Sequence, residues 1–107
     1  MIEGKKVKVR FKKLFSEQRM WVFIGKVIKF SENWVMLDGR GILITKGQVN
    51  PVDMDKESRV ILVPNSSIAH IRVLPDSFDV ANIQLETRGI RIFAKVEGSA
   101  PTSITET

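Results

Sequence analysis

Strict alternation of polar and apolar residues marks the first strand of this chain, from Lys5 to Lys13. Val7, Val9 and Phe11 point to one side, and basic residues point to the other. A period of two is that of an extended strand with one buried face. The pattern therefore predicts a half-buried strand whose outer face is entirely basic and consists of Lys6, Lys8, Arg10 and Lys12.

A longer strand is predicted over residues 20–30. Apolar residues fall on both faces of its first half, so we expect this half to lie between two packed layers. Gly25 lies in the middle, where a glycine usually marks a bend or a close approach of another backbone. A strand that bends in this way can serve both halves of a small barrel.

The next strand begins at Trp34, after a polar turn over residues 31–33. Residues 38–41, with the sequence Asp-Gly-Arg-Gly, fit either a hairpin turn or a bulge inside a longer strand that continues through Thr45. We favour the bulge, because the polar loop over residues 46–57 is long enough to separate two extended strands.

Two further strands are predicted on either side of a sharp corner. The run Val60–Val63 suits a strand that is buried on more than one side, and Pro64 ends it because proline cannot donate to a ladder. Residues 65–67 are turn formers. The apolar pattern then restarts, and three residues of the second strand can be buried: Ile68, Ile71 and Val73.

The C-terminal third carries weaker signals. Residues 80–87 are ambiguous with a short strand slightly favoured, Arg88–Gly89 reads as a turn, and alternation over residues 90–96 predicts a strand. Residues 98–107 have the composition of a disordered tail. The chain is therefore expected to be all-β, with a barrel in residues 1–75 and an extension in residues 76–97.

Charge and composition narrow the class of protein. The chain has 107 residues, which is room for one domain, and its net charge is +5. Nine Lys or Arg and two Asp or Glu lie in residues 1–30, against eight and ten in the remainder. This polarity favours a polyanion partner, although a basic face can also serve solubility alone. Without cysteine, a signal peptide or an apolar run of membrane length, we expect a cytoplasmic protein that does not enter a membrane.

Catalytic and metal-binding chemistry is poorly supported. His70 is the single histidine, and without cysteine no nucleophilic dyad or metal cluster can be built around it. It is better read as an outward-facing or interface residue. Asp53 and Asp55 lack the remaining ligands of a calcium loop, and Gly39 with Gly41 lacks the rest of a phosphate-binding fingerprint. We therefore expect neither an enzyme nor a metal or cofactor.

Two blocks of the sequence resemble the Sm-like family, which includes the Sm, LSm and Hfq proteins. Residues 25–38 are similar to the first family motif, with its mid-strand glycine, aromatic turn and apolar strand, and residues 63–71 are similar to the second. The resemblance covers roughly residues 6–74. It implies a five-stranded, strongly bent SH3-like barrel. It also implies a ring of six or seven protomers, closed by edge pairing near residues 60–63 and 68–73, with RNA bound on the ring.

The sequence departs from the family at the nucleotide pocket. Ser31 stands where the family has an acidic residue. At the family's next conserved position, an asparagine, an alignment without gaps places Val35, whereas an alignment with one deletion places Asn33. The phase of the strand favours Asn33. The corner has Pro64–Asn65 where Sm proteins have Arg-Gly, and Asn65–Ser66 where Hfq has Lys-His. The charged residues of the usual pocket are therefore absent.

Two functional hypotheses follow. The first is a ring that binds RNA, in which the basic strand contacts phosphates and Trp34 stacks on a base. The neutral polar side chains of Asn33, Asn65 and Ser66 would then form hydrogen bonds with base edges. Trp34 could instead pack in the core or an interface, and the polar groups could simply cap turns. The second hypothesis is a ring scaffold or adaptor that has lost nucleotide recognition. The candidate RNA-binding residues are Ser31, Asn33, Trp34, Asn65, Ser66, Lys6, Lys8, Arg10 and Lys12.

Overall fold

A computed structural model describes residues 2–12, 20–44, 52–88 and 91–104. Within these ranges the chain is all-β, as predicted, and contains no helix that could span a membrane. The strands are β1 (Lys6–Phe11), β2 (Met20–Phe30), β3 (Trp34–Ile44), β4 (Val52–Met54), β5 (Arg59–Pro64), β6 (Ile68–Leu74), β7 (Leu85–Arg88), β8 (Arg91–Ala94) and β9 (Thr102–Ser103). Two single 3-10 turns occur among them, Asn65–Ser67 and Val80–Asn82.

Six strands form one antiparallel sheet, in which five follow the order β4-β3-β2-β1-β6 and the sixth, β5, also pairs with β3. Strand β5 pairs with the first half of β3, and β4 pairs with its second half, so both lie on the edge of β3 away from β2. The loop predicted over residues 46–57 is therefore wrong at Val52–Met54, where pairing with β3 makes a strand that the local composition does not indicate. Strands β7, β8 and β9 form a second antiparallel sheet. Among the described residues β5 and β6 do not pair with each other, so hydrogen bonds do not close the larger sheet.

Strand β3 is continuous, which confirms that residues 38–41 lie inside a longer strand. The irregular register lies on β2, between Val27 and Lys29, and not at residues 38–41. Gly25 and Gly39 are directly opposed, and a Cβ on Gly39 would collide with the carbonyl oxygen of Ile24. Of the two alternatives at Gly25, a bend or a close approach of another backbone, the close approach is therefore confirmed.

The larger sheet has an apolar core on each face. Successive residues of β2 point to opposite faces, so Phe23 enters one core while Val22 and Ile24 enter the other. The sandwiched first half of β2 is therefore confirmed. The inner core consists of Val7, Val9, Phe23, Val27, Val35, Leu37 and Val63. In the outer core, residues 78–104 supply Phe78, Ile83, Ile92, Ala94, Val96 and Ile104, which pack against Val22, Ile24, Ile42, Ile44 and Leu74.

Strand β5 is not buried on more than one side. Val63 is buried, but Val60 is 57% exposed and Leu62 is 55% exposed. The expected burial also fails at Val73 of β6, which is 53% exposed. The reason is that no layer formed by the described residues covers these side chains, although the composition of both strands is that of buried ones.

The tail prediction does not hold for residues 102–104. Thr102 and Ser103 form β9, which pairs with Ala94 and Phe93 of β8. Ile104 is fully buried in the outer core. The short polar segment is ordered because one isoleucine fills a distant core, which local composition cannot reveal. Residues 105–107 lie outside the described part, as does the predicted connection over residues 14–18.

Candidate functional site

Five predicted site residues meet where the turn between β2 and β3 contacts the turn between β5 and β6. The amide nitrogen Nδ2 of Asn65 donates to the carbonyl oxygens of Ser31 and Glu32, each at 3.0 Å. The backbone N–H of Asn65 donates to the carbonyl of Asn33 at 2.8 Å. Ser66 follows in the same 3-10 turn and is exposed. We call residues 31–34 and 65–66 the corner.

Hydrogen bonds within the corner use some of the polar groups that the sequence predicted to contact RNA. Ser31 Oγ accepts from the backbone N–H of Trp34 at 3.0 Å, and the Ser31 N–H donates to the Trp34 carbonyl at 2.8 Å. Ser31 and the Asn65 amide therefore hold the turn in shape, which is the capping role. The Trp34 side chain is 47% exposed and lies outside both cores. It is the side chain of the corner that can stack on a ligand.

Lysines flank the corner. Lys12 is exposed, and its backbone N–H donates to the Ser67 carbonyl at 2.9 Å. Lys29 is also exposed and precedes the β2–β3 turn by two residues. Its place beside the turn is visible in the sequence, but the site predicted from the sequence did not include it. Both lysines can contact an anion that reaches the corner.

The rest of the basic strand face is not exposed, so the prediction is wrong there. Lys8 is 3% exposed and Arg10 is 4% exposed. Lys6 is half-buried, and its Nζ donates to the carbonyl of Phe78. The alternation of β1 identified correctly which residues share a face. It could not show that residues 76–104 return to cover that face.

Strand β6 adds two more basic side chains to this covered face. Antiparallel pairing places Arg72 opposite Lys8 and His70 opposite Arg10, and paired residues point to the same face of a sheet. Lys8 Nζ lies 3.1 Å from His70 Nε2. Sequence reasoning missed this grouping, although the two-residue spacing of His70 and Arg72 shows that they share a face. We call Lys8, Arg10, His70 and Arg72 the basic cluster.

Backbone carbonyls of the C-terminal segment accept hydrogen bonds from the basic cluster. Lys8 Nζ donates to the Ser103 carbonyl at 3.0 Å, and Arg10 Nη2 donates to the Ile104 carbonyl at 3.2 Å. Arg72 donates through Nη2 to Ala100 at 2.8 Å and through Nη1 to Pro101 at 3.0 Å. We call residues 100–104 the C-terminal strap.

The environment of the cluster disfavours positive charge. Burial, and then repulsion by Arg10 and Arg72, lowers the pKa of Lys8 from 10.5 to about 8. Burial also lowers the pKa of His70, and Lys8 and Arg10 add to that shift. His70 is therefore neutral near pH 7, so its Nε2 can accept a hydrogen bond from Lys8.

The unpaired edges of β5 and β6 form a third candidate surface. Within the described residues β5 pairs only with β3, and β6 pairs only with β1. Each strand therefore has one edge whose backbone groups are outside any ladder. Exposed apolar side chains accompany these edges: Val60 and Leu62 on β5, and Val73 on β6.

Comparisons of the chain with models of protein families, with curated proteins and with solved structures found no match. The Sm-like resemblance of the two sequence blocks thus remains a prediction. Among the described residues, no group of three or more His, Asp or Glu side chains could hold a metal ion.

Proposed function

We propose that this protein is a non-catalytic, ring-forming subunit of the Sm-like type, located in the cytoplasm, and that its ring binds RNA. The five barrel strands of this proposal are β1, β2, β3, β5 and β6. Their order in the sheet, β5-β3-β2-β1-β6, and the single 3-10 turn that joins β5 to β6 support the proposal. So do the two sequence blocks that carry the resemblance.

Strand β5 is the observation that carries the ring proposal. It has the composition of a strand buried on both faces, yet Val60 and Leu62 are more than half exposed. A long, apolar, unpaired edge is a template for pairing with another chain. Strand β6 offers the complementary edge, with Val73 exposed. If β5 of one copy pairs with β6 of the next, the two surfaces in contact are different, so the interface is heterologous. Repeated heterologous contacts close into a ring when the rotation between neighbouring copies allows closure.

The exposed Trp34 supports RNA as the ligand of the ring. An indole beside a polar turn can stack on a base of any kind, which contributes about 1–3 kcal/mol. Lys12 and Lys29 flank the same corner and can neutralise phosphates. A ring repeats the corner once in every copy, so several weak contacts along one RNA strand would add to the affinity.

A specific observation also favours the scaffold alternative. Lys8 and Arg10 are covered, and the Asn65 amide group is used to hold the corner. Fewer groups are thus free for RNA than the sequence predicted. In this alternative the ring forms through β5 and β6 but presents its surface to proteins.

Native mass spectrometry of the purified chain measures assembly directly. We expect six or seven copies for the natural protein and monomers for Leu62→Glu, because a carboxylate on the β5 edge would be buried in the interface. Ile28→Glu is the matched control, since Ile28 is 45% exposed but lies on β2, away from both edges. A strictly monomeric natural protein would contradict the ring proposal.

Fluorescence anisotropy with a labelled oligouridine of 12 nucleotides at low salt distinguishes the two ligand classes. We expect the natural ring to bind, and Trp34→Ala to weaken binding about tenfold through the loss of stacking. Ile28→Ala, which removes an exposed apolar side chain elsewhere, should bind as the natural protein does. A ring that forms but does not bind this RNA would favour the scaffold.

A further inference from the structure

We propose that the basic cluster is a second RNA site, one that binds phosphates, and that the C-terminal strap masks it in the conformation described above. The proposal rests on the RNA part of the proposed function. It adds a second contact surface to the corner and a segment of the chain that competes for it.

The composition of the covered face is the first argument. Lys8 faces Arg72 across the β1–β6 ladder, and Arg10 faces His70. Lys8 and Arg72 carry like charges directly opposite each other, which destabilises a sheet, and the burial of Lys8 and Arg10 adds a desolvation cost. Apolar side chains occupy neighbouring positions of this face, such as Val22 opposite Arg10 on β2. Apolar residues would pack under the strap at a lower cost than these basic residues. We therefore attribute the presence of the basic residues to a ligand that they bind.

The geometry of the hydrogen bonds is the second argument. The strap presents the carbonyl oxygens of Ala100, Pro101, Ser103 and Ile104 to side-chain donors on two adjacent strands. An extended backbone with a row of oxygen acceptors resembles the phosphate backbone of a single RNA strand in this respect. Phosphate oxygens carry full charge, and arginine binds them through two parallel N–H groups. RNA can therefore replace the carbonyls as acceptors and also neutralise the cluster.

The attachment of the strap is the third argument. Strand β9 has two residues and lies at the margin of the smaller sheet, after β8. The strap can leave while β7 and β8 remain paired over the outer core, at the cost of exposing Ile104, which is buried there. Lys12 follows Arg10 by two residues, about 7 Å in an extended chain. One RNA strand could therefore run from the corner onto the unmasked cluster.

The experiment measures binding of the labelled 12-nucleotide oligouridine with the strap removed or weakened. The chain is shortened after Ser99 in one variant, and Ile104→Ala loosens the strap anchor in a second. We expect the shortened chain to bind at least about tenfold more tightly in 50 mM salt. Three added phosphate contacts would steepen the slope of log affinity against log salt by about 2. Ile104→Ala should shift both quantities in the same direction.

Two controls separate unmasking from other effects. Arg72→Gln in the shortened chain should remove most of the gain, because it takes one cation from the cluster. Glu106→Gln in the full chain should give little gain. Shortening also removes that acidic residue, so a full gain from Glu106→Gln alone would show that charge repulsion explains the effect and would overturn the proposal.

A reversible lock covers the case in which the shortened chain does not fold. Phe93 and Ser103 are paired across β8 and β9, and the chain has no cysteine of its own. The double variant Phe93→Cys/Ser103→Cys should bind RNA more weakly when oxidised than when reduced. Equal binding in the two forms would overturn the proposal.

The outcomes for the two proposals differ. If the natural chain binds RNA through Trp34 but neither shortening nor Ile104→Ala increases affinity, the masked site is wrong and the proposed function stands. If no variant binds RNA, the RNA part of both proposals fails, while the ring is judged separately by mass spectrometry.

Discussion

At the scale of single residues, two opposed glycines determine how β2 and β3 can approach each other. Gly25 and Gly39 are direct partners in the ladder, and an added Cβ on either would meet backbone atoms of the other strand. The absence of side chains allows this contact, since neither residue has a positive φ. The role of Gly25 was predictable from its mid-strand position. The role of Gly39 was not, because its partner is known only once the register is.

We expect Gly39→Ala to destabilise the fold by about 2–4 kcal/mol, since a methyl group there collides with backbone rather than with a flexible side chain. Urea unfolding of the Leu62→Glu background, which keeps assembly out of the measurement, gives this difference. Asp38→Ala is the control, because Asp38 is exposed on the same strand. A loss below about 0.5 kcal/mol for Gly39→Ala would contradict the close approach.

At the scale of elements, β5 and β6 differ from the strands between them. Strand β2 is paired on both edges and packed on both faces, so its sequence pattern and its environment agree. Strand β5 has an equally apolar pattern but is covered on one face only. This disagreement is expected if another copy of the chain covers the exposed face of β5, because the apolar pattern of a sequence reflects burial in the assembled state.

Hydrogen exchange should report the edges directly. In the ring, the outward-facing amides of β5 and β6 would enter ladders with neighbouring copies, and their exchange should slow by at least about tenfold relative to the Leu62→Glu monomer. The amides of β2 are the internal control, because they are paired within the chain in both states. Equal exchange of β5 and β6 in the two proteins would argue against edge pairing.

At the scale of the whole molecule, the C-terminal third covers the second face of the sheet. It contributes Phe78, Ile83, Ile92 and Ile104 to the outer core and covers the basic cluster as well. The excess of basic residues near the N-terminus is therefore largely buried where it falls in β1. Because Lys8 is one of these buried residues, the free energy of unfolding depends on its protonation.

The pKa of Lys8 is about 8 in the folded state, against 10.5 for an unperturbed lysine. Between these values the unfolded chain binds more protons, so stability contributed by this group rises with pH from about 8 to 10.5. We expect Lys8→Met to remove this rise and to add about 1 kcal/mol of stability at pH 7, because the ammonium group of Lys8 is then no longer buried. Urea unfolding at pH 7 and pH 9.5 measures both effects.

Lys26→Met is the matched control, since Lys26 is exposed on the adjacent strand. It should leave the change in stability between the two pH values unaltered. If Lys8→Met also leaves that change unaltered, the charge on Lys8 is not disfavoured by its surroundings. The covered cluster would then carry no electrostatic cost.

Sequence alone was enough to predict the strands of the larger sheet other than β4, the turn at residues 31–33, the end of β5 at Pro64 and the sandwiched half of β2. These features follow from the alternation of side chains and from the backbone limits of glycine and proline, which act over a few residues. Which faces are covered becomes known only from the packing of distant segments. Lys8 and Arg10 are buried because residues near position 100 return to them, while Val60 and Leu62 are exposed because no segment in the described part of the chain packs over them. Burial of this kind depends on contacts between distant segments, and a local pattern does not contain them.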